Sequence, residues 1–404
     1  MEGIINKIFL EDIKMAYYNK QETEKRVAKV VKLLNDTNTD IAIIYFDELN
    51  VANGWYLTGW CGQFEKGAVL VGRDGTTMLL GGPESEPFAK QDSAITDVRC
   101  FPVFMVPDEE YPLATIISFS DLFAELSKKF EVKKVGLVGT TDMPYAVHRD
   151  LVAGFEGCEI VDLTDDFLKF RYIKSDWEVE QARAATVLAC KAYKAMAARV
   201  KAGNKEYEVA AAGESVCREN GADSFAYRTI VGSGIRSNAV VPTATNKVME
   251  NGEMVMLGIA PRVNGYAGTF GHTVPVSGEY TPEQRKCLID MIEVMKVTKS
   301  MLKIGVSGRE IDAEGRKLYE AGGYLKYLVC PFAHTMGLME AEAPFFGPNS
   351  DDILEKNMIV NVDVSFFGHP TLNGLRVETC YVITENGAEP LCPEFEEELL
   401  NYVK

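Results

Sequence analysis

A chain of 404 residues, 47% of them apolar and 25% charged, is too long for one ordinary core and suits two globular domains. Its formal net charge of −17 argues against a nucleic-acid partner, because binding phosphates takes clustered Lys and Arg. No run approaches the roughly 20 apolar residues that span a bilayer, and nine scattered cysteines without a CxxC pair fit a soluble protein of a reducing cytoplasm.

Residues 1–19 mix Lys, Glu and Asp among the apolar side chains and hold no secretory-signal core. Residues 40–45 (DIAIIY) form an apolar run of strand length. Residues 68–71 and 77–80 flank Arg73-Asp74-Gly75, a pattern that predicts a hairpin. Residues 134–138 and 159–161 read as further strands, with helices near 121–130 and 144–153. This alternation predicts an α/β domain over residues 1–172.

The second domain, residues 173–404, opens on Ser175-Asp176-Trp177-Glu178, a capping box heading a long helix that Gly203 stops. The chain then repeats itself. Lys201, Gly203, Glu208, Val209, Ala211, Gly213 and Gly221 return as Lys303, Gly305, Glu310, Ile311, Ala313, Gly315 and Gly323 at one offset, 303 − 201 = 102. Thr281-Pro282-Glu283-Gln284 begins the second copy with another capping box and Pro at the first helical position. Ser307 to Glu310 begins its inner helix in the same way. Two such helix pairs, each followed by strand-forming sequence, predict a pseudo-symmetric α/β (α+β) domain.

Several segments carry a resemblance. Arg171-Tyr172-Ile173-Lys174-Ser175-Asp176-Trp177-Glu178-Val179 resembles the RxxKSxxEI entry to the catalytic domain of prolidases, aminopeptidase P and creatinase. Residues 252–257 with Gly265-Tyr266, His334-Thr335-Met336-Gly337 with Glu342 and Pro344, residues 358–363, and Gly374-Leu375-Arg376-Val377-Glu378 follow the same family's strand motifs. The resemblance implies the creatinase–prolidase, or pita-bread, fold and a homodimer in which the N-terminal domain of one subunit borders the other's site. Residues 55–60 (WYLTGW) resemble the family's YLTG strand end, and Trp60 is then an aromatic wall for a small-molecule substrate.

In the metallopeptidases of that family, two Asp, one His and two Glu hold paired divalent ions that activate water. The matching positions here are Gly258, Thr269, His334, Asp363 and Glu378. Gly offers no ligand and a neutral hydroxyl is a poor one for a hard dication, so the bridging carboxylates are gone. The expectation is an enzyme without a metal cofactor, closer to the metal-free creatinase-like branch, although one ion on His334, Asp363 and Glu378 stays open. The position of creatinase's catalytic His is Val241, which cannot move a proton.

Four histidines remain for acid–base work. His148 reads as a helical surface residue and His369 as a loop residue, which leaves His334 and His272 as candidates beside Glu378. Glu342, Asp363 and Glu378 would repel one another without a counter-charge, so they are expected to hold a cationic substrate end with Arg376 nearby. Arg228 is a candidate for a substrate carboxylate, against the plainer reading of a solvated loop residue. Cys330 reads as a buried inert thiol before it reads as a nucleophile. The function expected is metal-independent hydrolysis of a C–N bond in a small nitrogen-rich molecule. An Xaa-Pro dipeptidase-like metallopeptidase, a lyase acting on a small zwitterion, and an inactive binding protein are the rivals.

Overall fold

The computed structural model describes residues 19–401, so the stretch read above as lacking a signal core lies almost wholly outside the described residues. The chain divides into two compact units, Met1–Arg171 and Tyr172–Lys404.

The first unit runs α1 (Lys20–Asp36), β1 (Ile41–Phe46), α2 (Ala52–Thr58), β2 (Gly67–Gly72), β3 (Thr77–Gly81), α3 (Ser85–Asp92), β4 (Val98–Cys100), α4 (Phe119–Leu126), β5 (Lys134–Val138), α5 (Tyr145–Gly154), β6 (Glu159–Asp162) and α6 (Thr164–Leu168). One sheet in the order β4-β3-β2-β1-β5-β6 forms its centre. The β1–β2 and β2–β3 pairs are antiparallel, and the other neighbours are parallel. Every residue of β1 and β2 is buried, which is why the DIAIIY run shows no polar alternation.

Residues 55–60 depart from expectation. The resemblance to the YLTG segment implies a strand end, yet the chain turns as helix α2, with the Thr58 hydroxyl donating to the Gly54 carbonyl. Gly59 ends it in the left-handed conformation at φ 68°, with its N–H on the Trp55 carbonyl.

The second unit runs α7 (Asp176–Arg199), α8 (Glu206–Glu219), β7 (Ser224–Phe225), β8 (Ile230–Ser233), β9 (Met254–Ile259), β10 (Pro261–Val263), β11 (Tyr266–Ala267), β12 (Phe270–Pro275), α9 (Pro282–Met301), α10 (Gly308–Gly322), β13 (Ala333–Thr335), β14 (Glu342–Phe346), β15 (Ile359–His369), β16 (Asn373–Thr384), β17 (Gly387–Pro390) and α11 (Pro393–Asn401). An antiparallel sheet in the order β14-β13-β15-β16-β12-β9-β8, with β17 also on β16, is its centre. A small sheet, β11-β10-β7, stands apart.

The repeat is visible as two helix pairs, α7 with α8 and α9 with α10. All three capping boxes form, at Ser175/Glu178, Thr281/Gln284 and Ser307/Glu310. The matched pair Gly213 and Gly315 shares one physical cause. A side chain at Gly213 would come within 2.6 Å of Met196, and one at Gly315 within 2.7 Å of Phe332, so each inner helix needs a bare backbone at its closest approach. Apolar residues of α7 and α9 (Ala192, Met196, Met291, Met295) share one core with those of the large sheet. Among the described residues, no helix is long and apolar enough to cross a membrane.

Candidate active site

Four adjacent strands of the large sheet carry the chemistry. His334 on β13 stands opposite Asn361 on β15, Asp363 on β15 opposite Glu378 on β16, and Glu378 opposite Gly271 on β12. Residues two apart on a strand share a face, so Asn361 and Asp363 project beside Arg376 and Glu378. Gly271 makes the room: a Cβ there would lie 2.6 Å from Glu378 Oε2 and 3.0 Å from Arg376 Cδ. Gly258 pairs with Gly271 in turn, and the Tyr227 hydroxyl stands 3.3 Å from where a Gly258 Cβ would be.

These groups form a buried polar network. Asn361 Nδ2 lies 2.5 Å from Glu378 Oε1, 3.1 Å from Glu340 Oε1 and 3.2 Å from His334 Nε2. The Tyr227 and Thr269 hydroxyls are 2.8 Å apart, and Thr269 donates weakly to Glu378 Oε1 at 3.4 Å. Arg376 Nε donates to Asp363 Oδ1 at 3.1 Å and stands 3.8 Å from Glu378 Oε2, which is buried and accepts no hydrogen bond among the described residues.

Burial is the main cause of the raised Glu378 pKa, to about 8; Asp363 and Glu340 add to it, while Arg376 and the Asn361 amide oppose it. Burial also pushes the Tyr227 phenol well above its usual value, helped by Glu378 and Glu340, so it stays protonated. Burial works against the Arg376 charge, but Asp363 and Glu378 outweigh it and hold the guanidinium above its ordinary range.

Of the residues singled out in the sequence, His334, Asp363, Arg376 and Glu378 come together here. Four others do not join them. Glu342 stands opposite Thr335 rather than His334, and its carboxylate takes the Lys174 ammonium at 3.0 Å in a buried ion pair. His272 shares its face of β12 with Phe270 and Val274, in the core beside Tyr193, while Gly271 faces Glu378. Burial lowers the His272 pKa to about 4 and leaves the ring neutral near pH 7. Arg228 is an exposed loop residue with no hydrogen bond or ion pair among the described residues. Trp60 is a core side chain of the first unit, 4% exposed and packed edge-on against Phe46 and Phe88, with little surface left for a ligand. Cys330 is half-buried, and burial and Asp363 raise its pKa, which disfavours a thiolate.

Three site residues escaped the sequence reading: Glu340, Asn361 and Tyr227. Glu340 lies in the turn between β13 and β14, which pair and so bring it back beside His334. Asn361 is two residues from Asp363, a period-2 signal that was available. Tyr227 arrives from a distant loop and left no local signal.

Residues 180–385 match Metallopeptidase family M24 and residues 26–173 match the Creatinase/Prolidase N-terminal domain. The chain belongs to this metallopeptidase family. It is 27% identical to an Xaa-Pro dipeptidase of Pyrococcus furiosus over 93% of this chain and 100% of that one. It is 30% identical to the uncharacterized peptidase YqhT of Bacillus subtilis over 65% of this chain and 74% of that one. The crystal structure of an X-Pro aminopeptidase from Thermotoga maritima superposes with a TM-score of 0.79 at 23% identity, covering 90% of this chain and 96% of that one, a likeness of fold.

These findings correct the expectation of a chain without a metal cofactor on the metal-free, creatinase-like branch. The family is one of metallopeptidases, its Xaa-Pro dipeptidase member matches along nearly the whole chain, and the site holds converging ligand atoms. His334, Glu340 and Glu378 each offer an atom, and these lie within 4.8 Å of one another. His334 Nδ1 faces its neighbour's Thr335 carbonyl at 3.0 Å, which makes Nδ1 the N–H donor and leaves the Nε2 lone pair turned inward. Among the described residues the buried Glu378 Oε2 accepts no hydrogen bond, which leaves it open to a cation. One divalent ion fits these donors; Gly258 and Thr269 supply no carboxylate to bridge a second.

Proposed function

We propose that the chain hydrolyses the C–N bond preceding proline in a short peptide, with one divalent ion held by His334, Glu340 and Glu378. The convergence of those three donors in a family that includes Xaa-Pro dipeptidases supports this reading most directly. An ion held there would polarise the scissile carbonyl and lower the pKa of a bound water. The side chains around it then have separate tasks. Thr335 fixes the His334 ring through its carbonyl, so Nε2 would be free to hold an ion without a tautomer change. Arg376 neutralises Asp363 and keeps the second Glu378 oxygen oriented. Tyr227, protonated and half-buried, is placed to donate a hydrogen bond to charge developing on the substrate oxygen. His334 thus serves as a ligand, and the proton-transfer role expected of His334 or His272 is not needed for either.

The test is release of proline from Xaa-Pro dipeptides by protein stripped with a chelator and reloaded with Mn²⁺, with Xaa-Ala peptides, small amides and amidines alongside. Activity should depend on the metal, favour the Xaa-Pro series, and fall by about 10²-fold or more in His334→Ala. Turnover of amides or amidines but not dipeptides would overturn the substrate assignment. Turnover indifferent to metal and to His334 would overturn the site.

A further inference from the structure

Resting on that reading, we propose that Asn361 is a built-in occupant of the metal cage, competing with the ion and setting its affinity. The carboxamide nitrogen contacts the same three residues that offer ligand atoms, at 2.5 Å from Glu378, 3.1 Å from Glu340 and 3.2 Å from His334. The orientation follows from the surroundings. The His334 Nε2 lone pair accepts, and Glu378 Oε1 already accepts from Thr269, so the NH₂ end and not the carbonyl faces them.

An ion bonded to three donors at about 2.0–2.2 Å would need the volume this nitrogen fills. Both cannot be present. The amide also does part of the ion's electrostatic work, placing two polarised N–H bonds between carboxylates that would otherwise face each other. Its other end is lightly tied: the Asn361 carbonyl oxygen meets the Cys380 thiol at 3.9 Å, and that thiol already has the Thr269 carbonyl at 3.3 Å. Turning the side chain out of the cage therefore breaks strong contacts at the nitrogen and little at the oxygen. Each hydrogen bond lost at the nitrogen is a cost the ion must overcome, so the displacement weighs directly against metal binding.

The experiment compares Mn²⁺ binding by calorimetry, and melting with and without Mn²⁺, for chelator-stripped wild type, Asn361→Ala and Asn361→Ser. Serine keeps a small polar group in case alanine leaves the acceptors too poorly satisfied to fold. Both variants should bind Mn²⁺ about tenfold or more tightly than wild type. Both should melt lower than wild type when stripped, and gain more from added Mn²⁺. Equal affinity would overturn the competition. Weaker binding in both would overturn it too, since the amide would then be acting as a ligand through its oxygen. If only the variants bind, the inference stands and the metal-dependent reading of the natural chain falls. If no form binds Mn²⁺, both fall.

Discussion

His272 offers a pH test of where the sheet turns its two faces. The ring is 1% exposed in the core of the second unit, and burial lowers its pKa from 6.5 to about 4. The unfolded chain therefore binds a proton that the folded chain refuses. Stability is complete above the unfolded value and is lost as pH falls toward the folded one. At about 1.36 kcal/mol per pKa unit the full penalty is about 3 kcal/mol, of which about 1.5 kcal/mol appears between about pH 7.5 and pH 5.5. Urea unfolding of the metal-stripped protein at those two pH values measures it. His272→Leu removes the titrating group while keeping an apolar side chain among Phe270, Val274 and Tyr193. The variant should lose less stability than wild type over the same interval, by about 1.5 kcal/mol. Identical pH slopes for the two proteins would refute the reasoning and turn the ring back toward solvent or the site.

Two further outcomes follow from features described above. Lys174→Met leaves the Glu342 carboxylate buried without its ammonium and should cost about 3–5 kcal/mol in urea unfolding, whereas Lys174→Met with Glu342→Leu should recover most of it; equal losses in both would mean the ion pair is not the cause. We also propose the homodimer implied by the resemblance, so sedimentation at micromolar concentration should give twice the chain mass, and a clean monomer would remove it.

The sequence made much of this fold legible because its signals are local. Capping boxes at Ser175, Thr281 and Ser307 need only neighbouring residues, and all three form. The fixed offset between Gly213 and Gly315 reflects a steric need repeated in space. The strand end that the resemblance implied before Trp60 is a helix instead, closed by a left-handed Gly59. In the site, His334 and Glu378 were legible from motifs, but their company was not. Asn361 meets His334 across two strands, and Tyr227 reaches Thr269 from a separate loop, relations set by register and long-range contact. His272 was recoverable from period-2 alternation, since Phe270 and Val274 on its own face are apolar. Glu342 pairs with Lys174, while Glu340, where the chain folds back, offers a ligand atom beside His334.

The two related helix pairs do not share the site equally. His334, Glu340, Asn361, Asp363, Arg376 and Glu378 all follow the second pair, while the first half contributes Tyr227 and Thr269 through hydroxyls. Free energy from an ion bound to those donors would therefore enter the opening equilibria of β13, β15 and β16, and hardly those of β8 and β9. Two halves alike in chain path would then differ in time: the later strands would hold their amide hydrogens longer in the loaded protein, and the earlier ones would exchange at a rate indifferent to the metal.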